Sequence, residues 1–440
     1  MVSDDSLRRR QAVKGKVDHS QRQAAQLCQL QALLTEVLSS NPFYAAKLRA
    51  AGVESADDVA TLQQYTDLPF TTKQELSVDQ AENPPYGTNL TYPAQRYVRV
   101  HQTSGTTGER LRWLDTEDSW TWFGRGWEAV YGGAGVTGED RIFLAASFGP
   151  FIGFWSAHEG ARLLGAMAIP GGGMSSVQRL EALAFNKATV LVCTPTYALH
   201  LAEVAAAQGL DLVRDTSVHV TIHAGEPGAG LPATKARIEQ AWGARCFDHA
   251  GATEVGAWGF ECTEQDGLHL NEDQFIFEII DPQSDQPANE GELIITNLGR
   301  TGMPVIRYRT GDRVRWHEAG SCACGRTFRR LEGGVIGRLD DALVIRGINV
   351  YPSLIENVVR GFPQVGEFAV HVRRPGAMDE LEIEVEVEDG AEAVVEGLAA
   401  ELYRGLALRP RVRAVACESL PRFELKARRV TDHRQLGQNG

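Results

Sequence analysis

Between residues 101 and 116 the chain reads HQTSGTTGERLRWLDT, which sets Thr103, Ser104, Gly105, Thr106, Thr107 and Gly108 in unbroken succession. Such a run offers backbone N–H groups and hydroxyls to phosphate oxygens. It is not a Walker loop, because Glu109 and Arg110 stand where that motif needs a lysine. Further on, FDHAGATEVGAWGFE places Thr253 and Glu254 after a glycine turn, where a carboxylate can hold Mg²⁺ beside a phosphate. YRTGD ends a strand-like run on Asp312, which can accept hydrogen bonds from two ribose hydroxyls. GRLDD supplies Arg338, able to reach a nucleotide, and Asp340, placed to act as a hinge; LPRFELKARR supplies Lys426. Taken singly, each reads as an ordinary turn, a solvated carboxylate or a surface lysine. Their order along one chain points to nucleotide chemistry.

A second set is Cys262, His269, Cys322 and Cys324, with the pattern Cys-x6-His…Cys-x-Cys. Thiolates and imidazole suit tetrahedral Zn²⁺, and four protein ligands close its shell, so the expected role is structural. Cys246 is an alternative ligand, and free thiols beside a surface histidine are the plain alternative. A third set is SFGPFIGFWSAHEG at 147–160, with Phe148, Phe151, Phe154 and Trp155 around Gly149. These rings can form a flat slot for an aryl group or pack in a core. His223 or His249 beside such a slot would favour a ring bearing hydroxyl or amino groups.

These residues need elements to hold them. The stretch 20–52 has helical periodicity, and Thr72 with Glu75 forms a capping box. RIFLAAS, AMAIP and TVLVCTP alternate with helical stretches 176–186 and 197–208, which implies βαβ units and a mainly parallel sheet. Strands separated by turns then suggest a small β subdomain at about 275–335. After Asp340 come a helix at 352–361, the strands EFAVHVRR and ELEIEVEVED, and a helix at 391–406, a ferredoxin-like α+β order. The fold class expected is α/β, with a large N-terminal domain (1–339) and a small mobile C-terminal lid domain (340–440).

With 44 Lys and Arg against 57 Asp and Glu, the formal charge is −13, which argues against a nucleic-acid surface. No apolar run suits a membrane span, and the first residues lack a signal peptide's apolar core, so a cytoplasmic protein is expected.

Read in order, TSGTTG, AHEGARLLGAMAIPGGG, TPTYALHLAE, AGEPG, GATEVG, GMPVIRYRTGD, CACGR and GRLDDALVIRGINVYPSLIE make a chain that resembles the adenylate-forming superfamily, in its phenylacetate–CoA ligase-like branch. The resemblance runs from LPFTTKQEL to Lys426. It implies ATP-dependent activation of an aromatic acid of the benzoate, anthranilate or phenylacetate type as acyl-AMP, then transfer to coenzyme A. Transfer to a carrier-protein thiol or an amine is the alternative. It implies that Thr103–Gly108 hold the pyrophosphate end, that Thr253 touches the α-phosphate, and that Glu254 holds Mg²⁺. It places Ala224, Gly225, Glu226, Asp248, His249, Ala250 and Gly251 around ATP, with Asp312 and Arg338 at the ribose. It makes Asp340 the hinge, Lys426 the adenylation lysine and Gly347 part of the CoA path. The acid pocket falls at Phe148, Gly149, Phe151, His223 and Gly256. The implied partners are ATP, CoA and the acid, with a homodimer left open. The chain departs from the pattern at Glu109 and Arg110, at Ala250 where an aromatic would stack on adenine, and at Phe423 and Leu425 before the lysine.

Overall fold

The computed structural model describes residues 18–103, 110–318, 321–346, 348–375, 378–388, 391–406, 408–423 and 426–434. Ser104–Gly108, Glu109, Gly347 and Leu425 therefore lie outside the described residues. The first helical stretch divides in two. Helix His19–Ser40 ends at Asn41, whose side chain accepts the Tyr44 N–H at 3.0 Å, and Pro42 opens helix Pro42–Ala50. Proline at a first helical position gives up no hydrogen bond. The Thr72–Glu75 capping box is formed at helix Lys73–Glu82.

One sheet of eleven strands dominates the molecule. Met167–Pro170, Arg141–Leu144, Val190–Cys193, Val220–His223 and Arg245–Ala252 lie parallel, in that spatial order. Ile142, Leu144, Val190, Val192, Ile222 and Phe247 pack against Trp127 and Tyr131 of helix Glu117–Gly133 and Ala157 and Ala161 of helix Ile152–Leu164. Their neighbours in sequence, Phe143, Leu191, Cys193 and Cys246, pack on the opposite face with Tyr197, Leu201 and Trp242. A strand covered on both faces is apolar throughout, which is why these runs show little alternation.

Strand Arg245–Ala252 is where the sheet changes character. Its first half pairs parallel with Val220–His223, and its second half pairs antiparallel with Gly256–Phe260. From there Leu268–Leu270, Arg330–Arg338, Tyr308–Trp316, Glu290–Asn297 and Phe275–Ile280 continue the ladder antiparallel. The strands at 275–335 are thus continuous with the main sheet. The turn chemistry between them reads the same in either arrangement, so sequence alone separates them too readily.

Residues beyond Asp340 build a four-stranded sheet. Arg411–Val415, Glu380–Val387, Val365–Arg373 and Val430–Asp432 lie in that order, with an antiparallel central pair and parallel outer strands. Helices Pro352–Arg360 and Ala391–Leu406 add Ile355, Val359, Leu398 and Leu402 to its separate core. No helix among the described residues is long and apolar enough to cross a membrane.

Candidate active site

Open sheets of this kind present ligand sites at the carboxyl ends of their parallel strands. Here those ends carry Thr194 after Val190–Cys193, Ala224–Glu226 after Val220–His223, and the second half of Arg245–Ala252. Gly225 takes φ +97°, a conformation that disfavours any side chain. A Cβ there would stand 3.5 Å from Lys426 Cε and 3.8 Å from Thr194 Cγ2. The lysine of the small domain thus reaches over the glycine turn of the large one. Glu226 ties the two together. Its carboxylate accepts Thr196 N–H at 3.0 Å, and Ala427 N–H at 2.7 Å from the residue after the lysine.

Lys426 is exposed, yet the protein packed around its side chain draws its pKa below the ordinary lysine value. The charges of Glu226, Glu254 and Asp312 oppose that fall, and Arg338 adds to it. Asp312 faces Arg338 across adjacent strands, 3.3 Å from Oδ1 to the guanidinium. Burial pushes the Asp312 carboxyl up to about 6 against the pull of Arg338. Arg338 also grips Asp340 at 2.8 and 3.0 Å, so the expected ribose arginine and hinge aspartate form one ion pair at the domain junction. Gly311, with φ +75°, leaves room for it, because a Cβ there would stand 3.0 Å from Arg338 Nη2.

Glu254 and Thr253 lie in the turn after Arg245–Ala252. Tyr308 donates its hydroxyl to Glu254 Oε1 at 3.1 Å. Arg300 donates to Thr253 O at 2.7 Å and Glu254 O at 3.2 Å. Its remaining nitrogens bind Asp115 through both oxygens at 2.8 Å, and its guanidinium lies over Trp113 and Phe123. Arg300 and Asp115 are both fully buried. Neither was singled out from sequence, since Arg300 sits in a turn, LGRTG, that shows no periodicity. An arginine between two apolar strands was the available signal.

The phosphate loop is described only at its stem. Thr103 and Leu111 exchange backbone N–H to O at 2.9 Å and N–H to Oγ1 at 3.1 Å, which closes the base of the loop, and Arg110 is exposed. Asp248 and His249 point to opposite faces of their strand, as alternation demands. The Asp248 carboxylate lies beside Gly230 and Gly334, where a Cβ would stand 2.8 and 3.4 Å from it. Burial, reinforced by the neighbouring Glu261, raises its pKa to about 7. The edge of Trp127 meets the His249 ring, 4.5 Å between centroids. Ala250 packs toward the antiparallel core.

Of the expected acid-pocket residues, Phe148 packs on the face that carries Ile222, and its ring meets Trp155 at 4.8 Å. Trp155 is 41% exposed and donates its indole N–H to Gly149 O, so it belongs to a rim and not to a core. Phe151 is on the same exposed rim. His223 does not join them. Its Nδ1 lies 3.2 Å from Cys193 O, on the opposite face of the sheet, because it alternates with Ile222. Gly256 sits against Trp122 and Phe275, away from Phe148.

The sulfur and nitrogen set gathers at the end of strand Gly256–Phe260. The ligand atoms of Cys262, His269, Cys322 and Cys324 all lie within 4.8 Å of one another. Cys262 and Cys322 sulfurs are 3.7 Å apart, and Cys324 Sγ is 3.5 Å from His269 Nε2. A tetrahedron with Zn–S of about 2.3 Å and Zn–N of about 2.0 Å has S···S and S···N edges of about 3.8 and 3.5 Å. The donor set therefore fits zinc in chemistry and in size. Cys246 is buried on the other face of the sheet, away from the cluster.

Residues 347–434 match the model of the AMP-binding enzyme C-terminal domain family. The chain is 33% identical to the phenylacetate-coenzyme A ligase of Escherichia coli (strain K12), covering 94% of this chain and 95% of that one. It is 32% identical to the enzyme of the same name from Pseudomonas putida, at 93% of each. Among solved structures, a 2-hydroxyisobutyryl-CoA ligase in the postadenylation state in complex with R3-HIB-AMP superposes with TM-score 0.89 at 30% identity, over 96% of this chain and 92% of that chain. The same ligase with 2-HIB-AMP and CoA in the thioesterification state gives TM-score 0.73 over 100% and 96%, at 31% identity.

Proposed function

Because this chain belongs to the phenylacetate–coenzyme A ligase family of adenylate-forming enzymes, and is an AMP-forming CoA ligase, we propose that it activates an aromatic acid of the benzoate, anthranilate or phenylacetate type and transfers the acyl group to coenzyme A. A carboxylate oxygen attacks the α-phosphorus of ATP, the bond to the bridging oxygen breaks, and pyrophosphate leaves. The thiol of CoA then attacks the acyl carbon, AMP leaves, and the thiol proton passes to solvent. Adenylation needs positioning and charge neutralisation more than covalent help.

The observation that carries the reading is the position of Lys426, over Gly225 and among Glu226, Glu254, Asp312 and Arg338. There its ammonium can bridge the acid's carboxylate and the α-phosphate. Thr103–Gly108 take the pyrophosphate end and Thr253 the α-phosphate. Asp312, seconded by Arg338, takes the ribose hydroxyls. Asp248, set against Gly230 and Gly334, would face the adenine. Glu254 would hold the Mg²⁺ that accompanies ATP, and that ion supplies charge neutralisation on the phosphates. Cys262, His269, Cys322 and Cys324 would hold a structural zinc that ties strand Gly256–Phe260 to the turn before Arg330–Arg338.

Residues 1–339 and 340–440 act as two domains, and the second turns about Asp340 between half-reactions. The higher TM-score with the postadenylation state supports an adenylation-side arrangement here, with Lys426 docked. Rotation would withdraw Lys426 and bring Gly347 to the CoA path. A cytoplasmic location fits these substrates.

Incubating the purified protein with ATP, Mg²⁺, CoA and aryl acids, and following products by mass, tests the reading. AMP together with aryl-CoA is expected. Acyl adenylate without thioester would overturn transfer to CoA in favour of a carrier protein or an amine.

A further inference from the structure

We propose that His249 selects the acid, by accepting a hydrogen bond from a hydroxyl or amino group that the acid carries. This rests on the ligase reading and adds to it a class of substrate: acids with a hydrogen-bond donor besides the carboxyl. His249 lies in the second half of strand Arg245–Ala252, on the face of the sheet that carries Phe247, Ile222 and Phe148. One residue back, Asp248 is in register with His223, two residues before Gly225 and the docked Lys426. An acid held at Lys426 by its carboxylate, with its body toward Phe148, therefore passes the imidazole.

The tautomer of that imidazole is determined by its surroundings. Nδ1 lies 2.7 Å from the carbonyl oxygen of Gly259, which can only accept, so Nδ1 carries the proton. In the neutral ring Nε2 is then a bare acceptor. Burial keeps the ring neutral, with a pKa drawn down to about 4. Trp127 fixes the ring plane from one side, 62° between planes. Nε2 has no hydrogen-bond partner among the described residues, although His249 is only 5% exposed. It faces Gly251, where a Cβ would stand 3.2 Å away. The glycine keeps open the space that a donor group would fill. Nε2 is not sealed from solvent, so an acid that donates to it gains a hydrogen bond that a donorless acid cannot make.

The test compares acids in pairs by ATP–pyrophosphate exchange: 2-aminobenzoate and 2-hydroxybenzoate against benzoate, and 2-hydroxyisobutyrate against isobutyrate. Wild type is expected to favour the donor-bearing member of at least one pair by roughly twofold to tenfold in kcat/KM. The two sets of pairs show whether the donor sits on an aryl or a small aliphatic acid. His249→Phe keeps a ring against Trp127 and removes the acceptor. It should abolish the preference, slowing the donor-bearing acid far more than its donorless partner. His249→Leu is the second variant and should do the same. A wild-type enzyme without preference, a preference that survives both substitutions, or an equal loss for both members of each pair would overturn the role of His249. Absence of exchange with every acid in the wild type would overturn the ligase reading and this inference with it.

Discussion

Arg300 offers the sharpest test of how the fold serves the site. Its guanidinium is the only described link from the buried Asp115 to the two carbonyls of the Thr253–Glu254 turn. Burial alone would raise the Asp115 carboxyl, but Arg300 outweighs it and holds the pKa below the usual carboxylate value. The pair is thus charged at neutral pH, and its contribution is lost as pH falls through that lowered value. Arg300→Ala strands a buried carboxylate, a loss of about 3–5 kcal/mol. Arg300→Met with Asp115→Leu removes both charges and should be more stable than Arg300→Met alone. Arg300→Lys keeps the charge but not the fork. An ammonium that stays with Asp115 forfeits the charge-assisted bonds to the turn, worth about 1.5–3 kcal/mol. Calorimetry should report these losses, and ATP–pyrophosphate exchange should fall roughly tenfold to a hundredfold in Arg300→Lys, at about 1.4 kcal/mol per decade. Wild-type exchange in Arg300→Lys, or an Arg300→Ala protein within about 1 kcal/mol of wild type, would refute the positioning role.

Arg237 donates to the carbonyls of Arg360, Phe362 and Val365, clasping the small domain to helix Pro232–Trp242. Arg237→Ala should lower exchange severalfold while sparing thioester formation from supplied acyl adenylate; equal losses in both would argue against a clasp. Protonation of Asp312 below about 6 removes an acceptor for ribose, so the KM for ATP should rise as pH falls through that value, and Asp312→Asn should be high and flat. Its native pKa lies above the unfolded one, so its ionisation costs stability as pH rises between the two, and Asp312→Asn should be more stable at pH 7. Zinc by elemental analysis should approach one per chain, and a chelator should lower the melting temperature; metal-free protein that melts at the same temperature would remove the staple.

Much of the site was legible because its residues are punctuation. Gly225, Gly311 and the turn carrying Thr253 and Glu254 are required by local geometry, and local geometry is written in short motifs. The parallel strands were legible for a similar reason, since burial on both faces leaves an apolar run. What sequence concealed was long-range. Asp115 and Arg300 are 185 positions apart, and nothing in WLDT or LGRTG announces the other. The facing of His223 and His249 was hidden as well, because a one-residue phase decides which side of the sheet a histidine serves. The strands at 275–335 carried honest turn signals, yet they join the main sheet only through a relay of short ladders, Arg330–Leu331 on Leu268–His269, then Gly256–Phe260, then His249–Ala252.

The central claim is that Lys426, docked over Gly225, drives the first half-reaction and leaves before the second. Lys426→Ala assayed on both halves tests it most directly. ATP–pyrophosphate exchange should fall at least a hundredfold, while thioester formation from supplied acyl adenylate and CoA stays near the wild-type rate. Exchange that survives the substitution, or an equal collapse of both halves, would contradict the account.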